Sequence, residues 1–368
     1  MIKEAVKNRF LKYVQINSET RNEKAFAEHL KNELIDLGFQ VTMDDAGSSF
    51  GGNCGNLIAY MPGDASKDTF FLSGHMDTVS PGNDIEPIEI DGVIYSKGDT
   101  ILGGDDKAGL AAIVTGVESL LKEGKSIGPL ELLFTVGEEG GLHGSGFLDV
   151  NQLKSKKGFI LDSSRDIGEI INKGPGQGHL KATIFGKAAH AGVCPENGIS
   201  AVSILAEAVQ HMKLLRIDED TTANIGKVNG GTATNIVMPE LHVVAEARSL
   251  NVRKLDEQLK HMKETFINAA DKLGGSVEVD IQVVYPSFFV DPSTSVVKLA
   301  TEAYKSLGIE ATTTSTGGGS DANTLNGKGL EVINLGIHEQ KSHTIDEAYA
   351  VDDLVTMTHF VKALIQQH

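Results

Sequence analysis

The chain is short of cysteine, of basic charge and of long apolar runs, and each shortage excludes something. Two cysteines occur in 368 residues, Cys54 and Cys194, and they form neither a CxxC pair nor a disulfide framework. Zinc–thiolate chemistry is therefore not expected, and a reducing cytoplasm is the expected location. Lysine and arginine number 33 against 50 acidic residues, for a formal net charge of −17. Sequence-independent binding to nucleic acid or to an anionic membrane needs a basic footprint, so neither partner is expected. No apolar run approaches the roughly eighteen residues that would cross a bilayer. The opening "MIKEAVKNRFLKYVQI" does not read as a signal peptide, because charges interrupt any apolar stretch. Ile2, Val6, Phe10, Tyr13 and Val14 recur there at helical spacing instead.

What is present is an ordinary globular composition, 40% hydrophobic and 23% charged, on a chain long enough for about two domains. The first part alternates strand-like and helix-like runs. "AFAEHLKNELIDLGF" puts Phe26, Leu30, Leu34 and Leu37 on one stripe before Gly38. "GLAAIVTGVESLLKEG" repeats the device with Leu110, Val114, Val117 and Leu121 before Gly124. Between them lie short apolar runs at Asn56–Tyr60, Thr69–Leu72, Leu130–Val136 and Phe159–Leu161. Strands alternating with helices predict an α/β layer on a mostly parallel sheet flanked by helices. From about Gly174 the pattern becomes β-α-β-β-α-β, the ferredoxin-like split arrangement, and after Pro292 the α/β texture resumes. The expected organisation is one α/β domain (residues 1–173 and 292–368) interrupted by a smaller α+β insert (residues 174–291).

The chemistry gathers where apolar runs end. "FFLSG" runs into His75 and Asp77, "LELLFTVG" into Glu138 and Glu139, "GFIL" into Asp162, and "EVINLGIHEQKS" into His343. "ILGGDDKAG" places Asp105 and Asp106 just ahead of a helix. Taken singly each has a plainer account: a solvated acidic turn, a helix cap, an exposed histidine, a turn-forming aspartate. Taken together they fall at the carboxyl ends of strands in one open sheet, where ligands bind. Several carboxylates with two histidines and no cysteine suit zinc, manganese or cobalt. A bridging carboxylate with one histidine per ion makes a two-metal site that activates water. Asp77 is then expected to orient the His75 ring through its other nitrogen.

The set "SGHMDTV", "TILGGDDKAG", "FTVGEEGGLHGS", "FILDSS", "KAAHAGVCPENGISA" and "KSHTIDE" resembles the M20 family of co-catalytic metallopeptidases, most nearly its peptidase T (tripeptide aminopeptidase) branch. The motifs run from His75 to His343, so the resemblance covers nearly the whole chain. It implies a zinc-exopeptidase-like catalytic domain with an inserted lid through which a homodimer forms. Two divalent metal ions per subunit are implied, Zn with Mn or Co as alternatives. His75 and Asp162 would hold one, Glu139 and His343 the other, and Asp105 both, across a cis Asp105–Asp106 peptide. Glu138 would be the general base, and Asp106 would adjoin the ions without ligating them. In the insert, His190 matches the residue that reaches the partner subunit's site and stabilises the oxyanion. Asn235 and Arg248 match residues that hold the peptide substrate. The run Gly317, Gly318, Gly319 would permit close approach of backbone to substrate, as would a plain surface loop.

One departure bears on specificity. Peptidase T members tend to have Pro after the lid histidine, whereas Ala191 stands here, and "HAGVCPENGISA" looks more like the glutamate-carboxypeptidase branch. Carboxypeptidase or N-acyl amino-acid amidohydrolase activity would use the same ligands, so either peptide end remains open. A non-catalytic metal-binding scaffold is disfavoured because Glu138 is present.

Overall fold

Nearly continuous apolar runs become the middle of a mixed sheet in the computed structural model, which describes residues 2–367. The strands lie in the order Gln40–Met43, Leu57–Met61, Leu130–Thr135, Phe70–His75, Lys157–Ser163, Glu331–Gly336, Glu169–Gly174. The four from Leu130–Thr135 to Glu331–Gly336 run parallel. Antiparallel pairs flank them on both sides. Every residue of Phe70–His75 and of Leu130–Thr135 is buried, as a sheet covered on both faces requires.

The helix Gly104–Lys122 packs on Phe70–His75 and Lys157–Ser163 and against the helices Ile2–Val14 and Val351–Gln367. It is buried almost all round, which accounts for its small, apolar composition. The stripe at Phe26, Leu30 and Leu34 is the buried face of helix Lys24–Asp36. One element escaped the reading of the sequence. Pro87–Ile90 and Val93–Ser96 form a hairpin that pairs with Ala348–Ala350. Its signal was present in Asp91–Gly92, both at positive φ, the residue pair that suits a two-residue hairpin turn.

The described residues form two compact units, one of 2–173, 289–316 and 320–367 and one of 174–288 and 317–319. The second unit is a separate antiparallel sheet. Its long strands lie in the order Thr221–Gly230, Glu240–Ser249, Gly176–Phe185, Ser276–Tyr285. Numbered along the chain that is 2-3-1-4, the ferredoxin-like arrangement. Two helices, Ala201–His211 and Val252–Leu273, cover it and bury Leu180, Ile184, Val243, Leu259 and Phe266 in its core. Each fully buried side chain of that kind contributes roughly 1.5–3 kcal/mol. The longer helix is bounded locally: the Asn251 side chain accepts from the backbone N–H of Arg253 and Lys254, and Gly274 ends it in a left-handed conformation. Among the described residues no helix is long and apolar enough to cross a membrane.

Candidate metal centre

Parallel strands present their carboxyl ends at one edge, and there the unit collects its polar residues. His75 is the last residue of its strand, Asp162 lies near the end of the next, and Glu138 and Glu139 follow a third. His343 stands in the loop after Glu331–Gly336, at φ 64°, a region uncommon for a residue with a side chain. Asp105 sits at the start of the Gly104–Lys122 helix, joined to Asp106 by a cis peptide.

The Asp105 carboxylate lies between two imidazoles. Its Oδ1 is 2.9 Å from His75 Nε2 and its Oδ2 is 3.1 Å from His343 Nε2. Each ring has a second acid: Asp162 Oδ1 is 3.6 Å from His75 Nε2, and Glu139 Oε1 is 2.8 Å from His343 Nε2. One donor atom from each of His75, Asp105 and Asp162 falls within 4.8 Å of the others, and the same holds for Asp105, Glu139 and His343. Two sets of three donors thus share one carboxylate, and either set could hold a divalent cation. A third group of this kind, Asp106, Asp162 and Glu339, shares Asp162 with the first. Glu339 was not singled out from the sequence, where it is one acid in a polar loop.

Asp77 approaches the other nitrogen of the His75 ring with both its main chain and its carboxylate. The ring Nδ1 is 2.9 Å from the main-chain carbonyl of Asp77, against 3.5 Å from its carboxylate. A carbonyl only accepts, so Nδ1 carries a proton, and Nε2 is turned to Asp105 and Asp162. The Asp77 carboxylate also accepts from the backbone N–H of Glu138 at 2.9 Å and of Glu139 at 3.2 Å, and from the Thr20 hydroxyl at 2.7 Å. Asp77 therefore shapes the turn that presents the two glutamates. Glu347, also unforeseen, accepts from the backbone of Leu102, Gly103, Gly104 and Asp105.

The electrostatics are those of a crowded acidic site. Burial and the neighbouring Asp162, Glu139 and Asp321 raise Glu138 well above the usual carboxylate range. Burial, with Asp105 and Asp321, raises Asp162 to about 7. Hydrogen bonds with Asp105 and Glu139 raise His343 to about 10. Burial works against charge on His75, but Asp162, Asp105 and Asp77 outweigh it and lift the ring well above its ordinary value. Asp106 Oδ1 and Glu339 Oε1 are buried with no hydrogen-bond partner. Buried acids left with mutual repulsion and orphaned oxygens fit cations, whose charge reverses that penalty.

The insert brings some of its candidate residues together. Ala191 donates its N–H to the Asn235 carbonyl at 2.9 Å, which sets the His190 and Asn235 loops side by side. Both His190 and Asn235 are exposed. His190 Nδ1 accepts from the Gly192 N–H at 3.2 Å, which leaves Nε2 to carry the proton. The Arg248 fork is already engaged: Nε and one terminal nitrogen reach the two oxygens of Glu246 at 3.0 and 3.3 Å. Gln177 Nε2 also donates to Glu246. Arg248 donates further to the Gly317 carbonyl at 3.4 Å, and Gly318 and Gly319 lie in the same stretch of the insert. Gly319 has a structural reason of its own, since a Cβ there would meet the Tyr285 ring at 2.3 Å.

Comparison with known proteins follows the same line. The sequence pattern described as "Peptidase family M20/M25/M40" matches residues 71–367. A crystal structure of aminopeptidase PepT from Bacillus cereus ATCC 10987 is 42% identical, with a TM-score of 0.94 over 99% of this chain and 98% of that one. A tripeptidase from Staphylococcus aureus subsp. aureus Mu50 is 40% identical, with a TM-score of 0.97 and the same coverage. A Bacillus subtilis protein described as a dinuclear metal binding peptidase from the M20 family shares the fold at 15% identity, with a TM-score of 0.75 over 100% of this chain and 98% of that one. The chain belongs to peptidase family M20/M25/M40 and is a metallopeptidase similar over its whole length to an aminopeptidase PepT and a tripeptidase.

Proposed function

We propose that the protein is a dinuclear metal-dependent exopeptidase that hydrolyses short peptides and releases the N-terminal residue of tripeptides. One observation carries this reading. The two oxygens of Asp105 face two different imidazoles, and each imidazole has an acid of its own. In this reading His75 and Asp162 would hold one cation, Glu139 and His343 the other, and Asp105 would serve both. The carboxylate–imidazole donor set suits Zn, with Mn and Co as alternatives. Two such ions, when bound, supply Lewis-acid polarisation of the scissile carbonyl and lower the pKa of water at neutral pH.

The chain's own residues do the rest. Glu138 takes the proton of the attacking water and delivers it to the leaving amine. Its position directly before Glu139, on the turn that follows a strand of the central sheet, supports that role. Asp77 accepts from the backbone N–H groups of both Glu138 and Glu139 and so fixes the turn that presents them. In a homodimer formed through the insert, His190 of one subunit would donate its Nε2–H to the substrate oxygen on which negative charge develops in the other subunit's site. Asn235, Arg248 and the Gly318–Gly319 backbone bind the peptide. The aminopeptidase and tripeptidase descriptions of the two similar structures support the substrate class, and the M20 relative described as dinuclear supports the ion count. Two free cysteines support action in the cytoplasm.

A carboxypeptidase reading keeps one observation in its favour, the "HAGVCPENGISA" stretch with Ala191. A tripeptide of three different residues separates the two. Chelated protein is expected to be inactive and to recover with Zn²⁺, Mn²⁺ or Co²⁺, releasing the N-terminal residue first. First release of the C-terminal residue selects the carboxypeptidase reading, and full activity in verified metal-free protein overturns both.

A further inference from the structure

We infer that Glu347 is a positioning residue, which holds Asp105 at the place both cations share. The inference rests on the reading of Asp105 as a shared ligand. Glu347 is 2% exposed, and its carboxylate accepts four main-chain N–H groups. Oε2 takes those of Leu102 and Gly103, both at 2.8 Å, and Oε1 takes those of Gly104 at 2.7 Å and Asp105 at 3.1 Å. A carboxylate offers about four lone-pair sites, so this one is saturated by a single stretch of backbone. That stretch stands ahead of the regular helix, since Asp105 and Asp106 have non-helical backbone angles, and buried main-chain N–H groups outside regular structure need acceptors from elsewhere.

The donors lie 242 to 245 residues earlier in the chain, so no local rule pairs them with Glu347. Four residues before Glu347 stands His343, whose Nε2 faces Asp105 Oδ2. One short segment therefore carries both an imidazole of the centre and the acid that grips the Asp105 loop. Its grip is on backbone amides alone, so it requires no ion.

Glu347→Gln tests this without changing the fold's volume. The amide nitrogen that replaces one oxygen would face two N–H donors, and the loop must shift to escape. Because Asp105 serves both positions, affinity for both ions is expected to fall together, by about 10–100-fold, the usual cost of removing an outer partner of a ligand. Affinity is read by competition with a chromophoric chelator, and ligand geometry by the visible absorption of the Co²⁺ form. A merely structural role would lower the melting temperature of the chelated protein and leave affinity and the Co²⁺ spectrum at parental values. That result overturns the inference.

Asp105→Ala is the control. If it binds both ions as the parent does, the metal-centre reading itself has failed. If it loses them while Glu347→Gln keeps them, only the role of Glu347 is lost. Should Glu347→Gln not fold, hydrogen exchange of the chelated parent decides. Slow exchange at residues 102–105 is expected, and exchange at unprotected rates there overturns the grip.

Discussion

In the unit built on the mixed sheet, His75, Asp77, Asp106, Glu339 and Glu347 are each at most 6% exposed, whereas in the insert His190 and Asn235 are open to solvent. Burial of acids is costly unless each is paired. The first unit meets that cost with backbone amides: four on Glu347, two on Asp77, and one from Gly137 on Glu23. Among the buried acids left with an unpartnered oxygen, Asp106 and Glu339 belong to a group that could hold a cation. The insert has little such cost, because its candidate residues stay hydrated until a substrate covers them. Preorganised charge belongs to the chemical step, and exposed donors belong to recognition and to charge that develops later.

Four substitutions would break or sharpen that contrast. The largest effect is expected from Glu138→Gln, since the amide can neither accept nor return the proton. Turnover should fall by about 10²–10⁴-fold with metal content unchanged. If an ion is lost instead, the roles given to Glu138 and Glu139 are reversed. His190→Ala comes next, with a fall of about 10²–10³-fold and no change in bound metal, the usual cost of one oxyanion donor. Mixing it with Glu138→Gln should restore part of the activity, because a mixed dimer contains one site with both residues intact. Absence of rescue in dimers verified as mixed would place His190 outside the partner's site.

Arg248→Lys should act on binding more than on chemistry. It keeps the charge and loses the fork that now spans Glu246. A hydrogen bond to a charged group is worth about 1.5–3 kcal/mol, so KM should rise roughly tenfold or more with kcat near the parental value. An unchanged KM would remove Arg248 from the substrate site.

The smallest effect concerns buried charge in the first unit. Burial, followed by the nearby Asp77, raises Glu23 from 4.5 to about 7. As pH climbs between those values the unfolded chain gives up its proton while the folded chain keeps it, so stability falls. Glu23→Gln still accepts from the Gly137 N–H, and removes that slope. Its melting temperature should exceed the parent's by a few degrees at pH 8 and match it near pH 4.5. A gain of equal size at both pH values would show that the proton is not the cause.

By itself the sequence determined the elements and the residues that end them. Apolar runs of three to seven residues read as strands, the stripe at Phe26, Leu30 and Leu34 as a helix face, and polar residues at strand ends as one edge of a parallel sheet. Those signals are local, set by side-chain period and by the cost of burying charge, and they located His75, Asp105, Glu138, Glu139, Asp162 and His343. Only the tertiary structure decided the partners. The carbonyl of Asp77 lies nearer His75 than its carboxylate does, Glu246 occupies the Arg248 fork, Glu339 joins Asp106 and Asp162, and Glu347 takes four amides from a distant loop. A hydrogen bond is decided by tenths of an ångström and by direction, and between segments far apart in the chain those are set by how the sheet and helices pack.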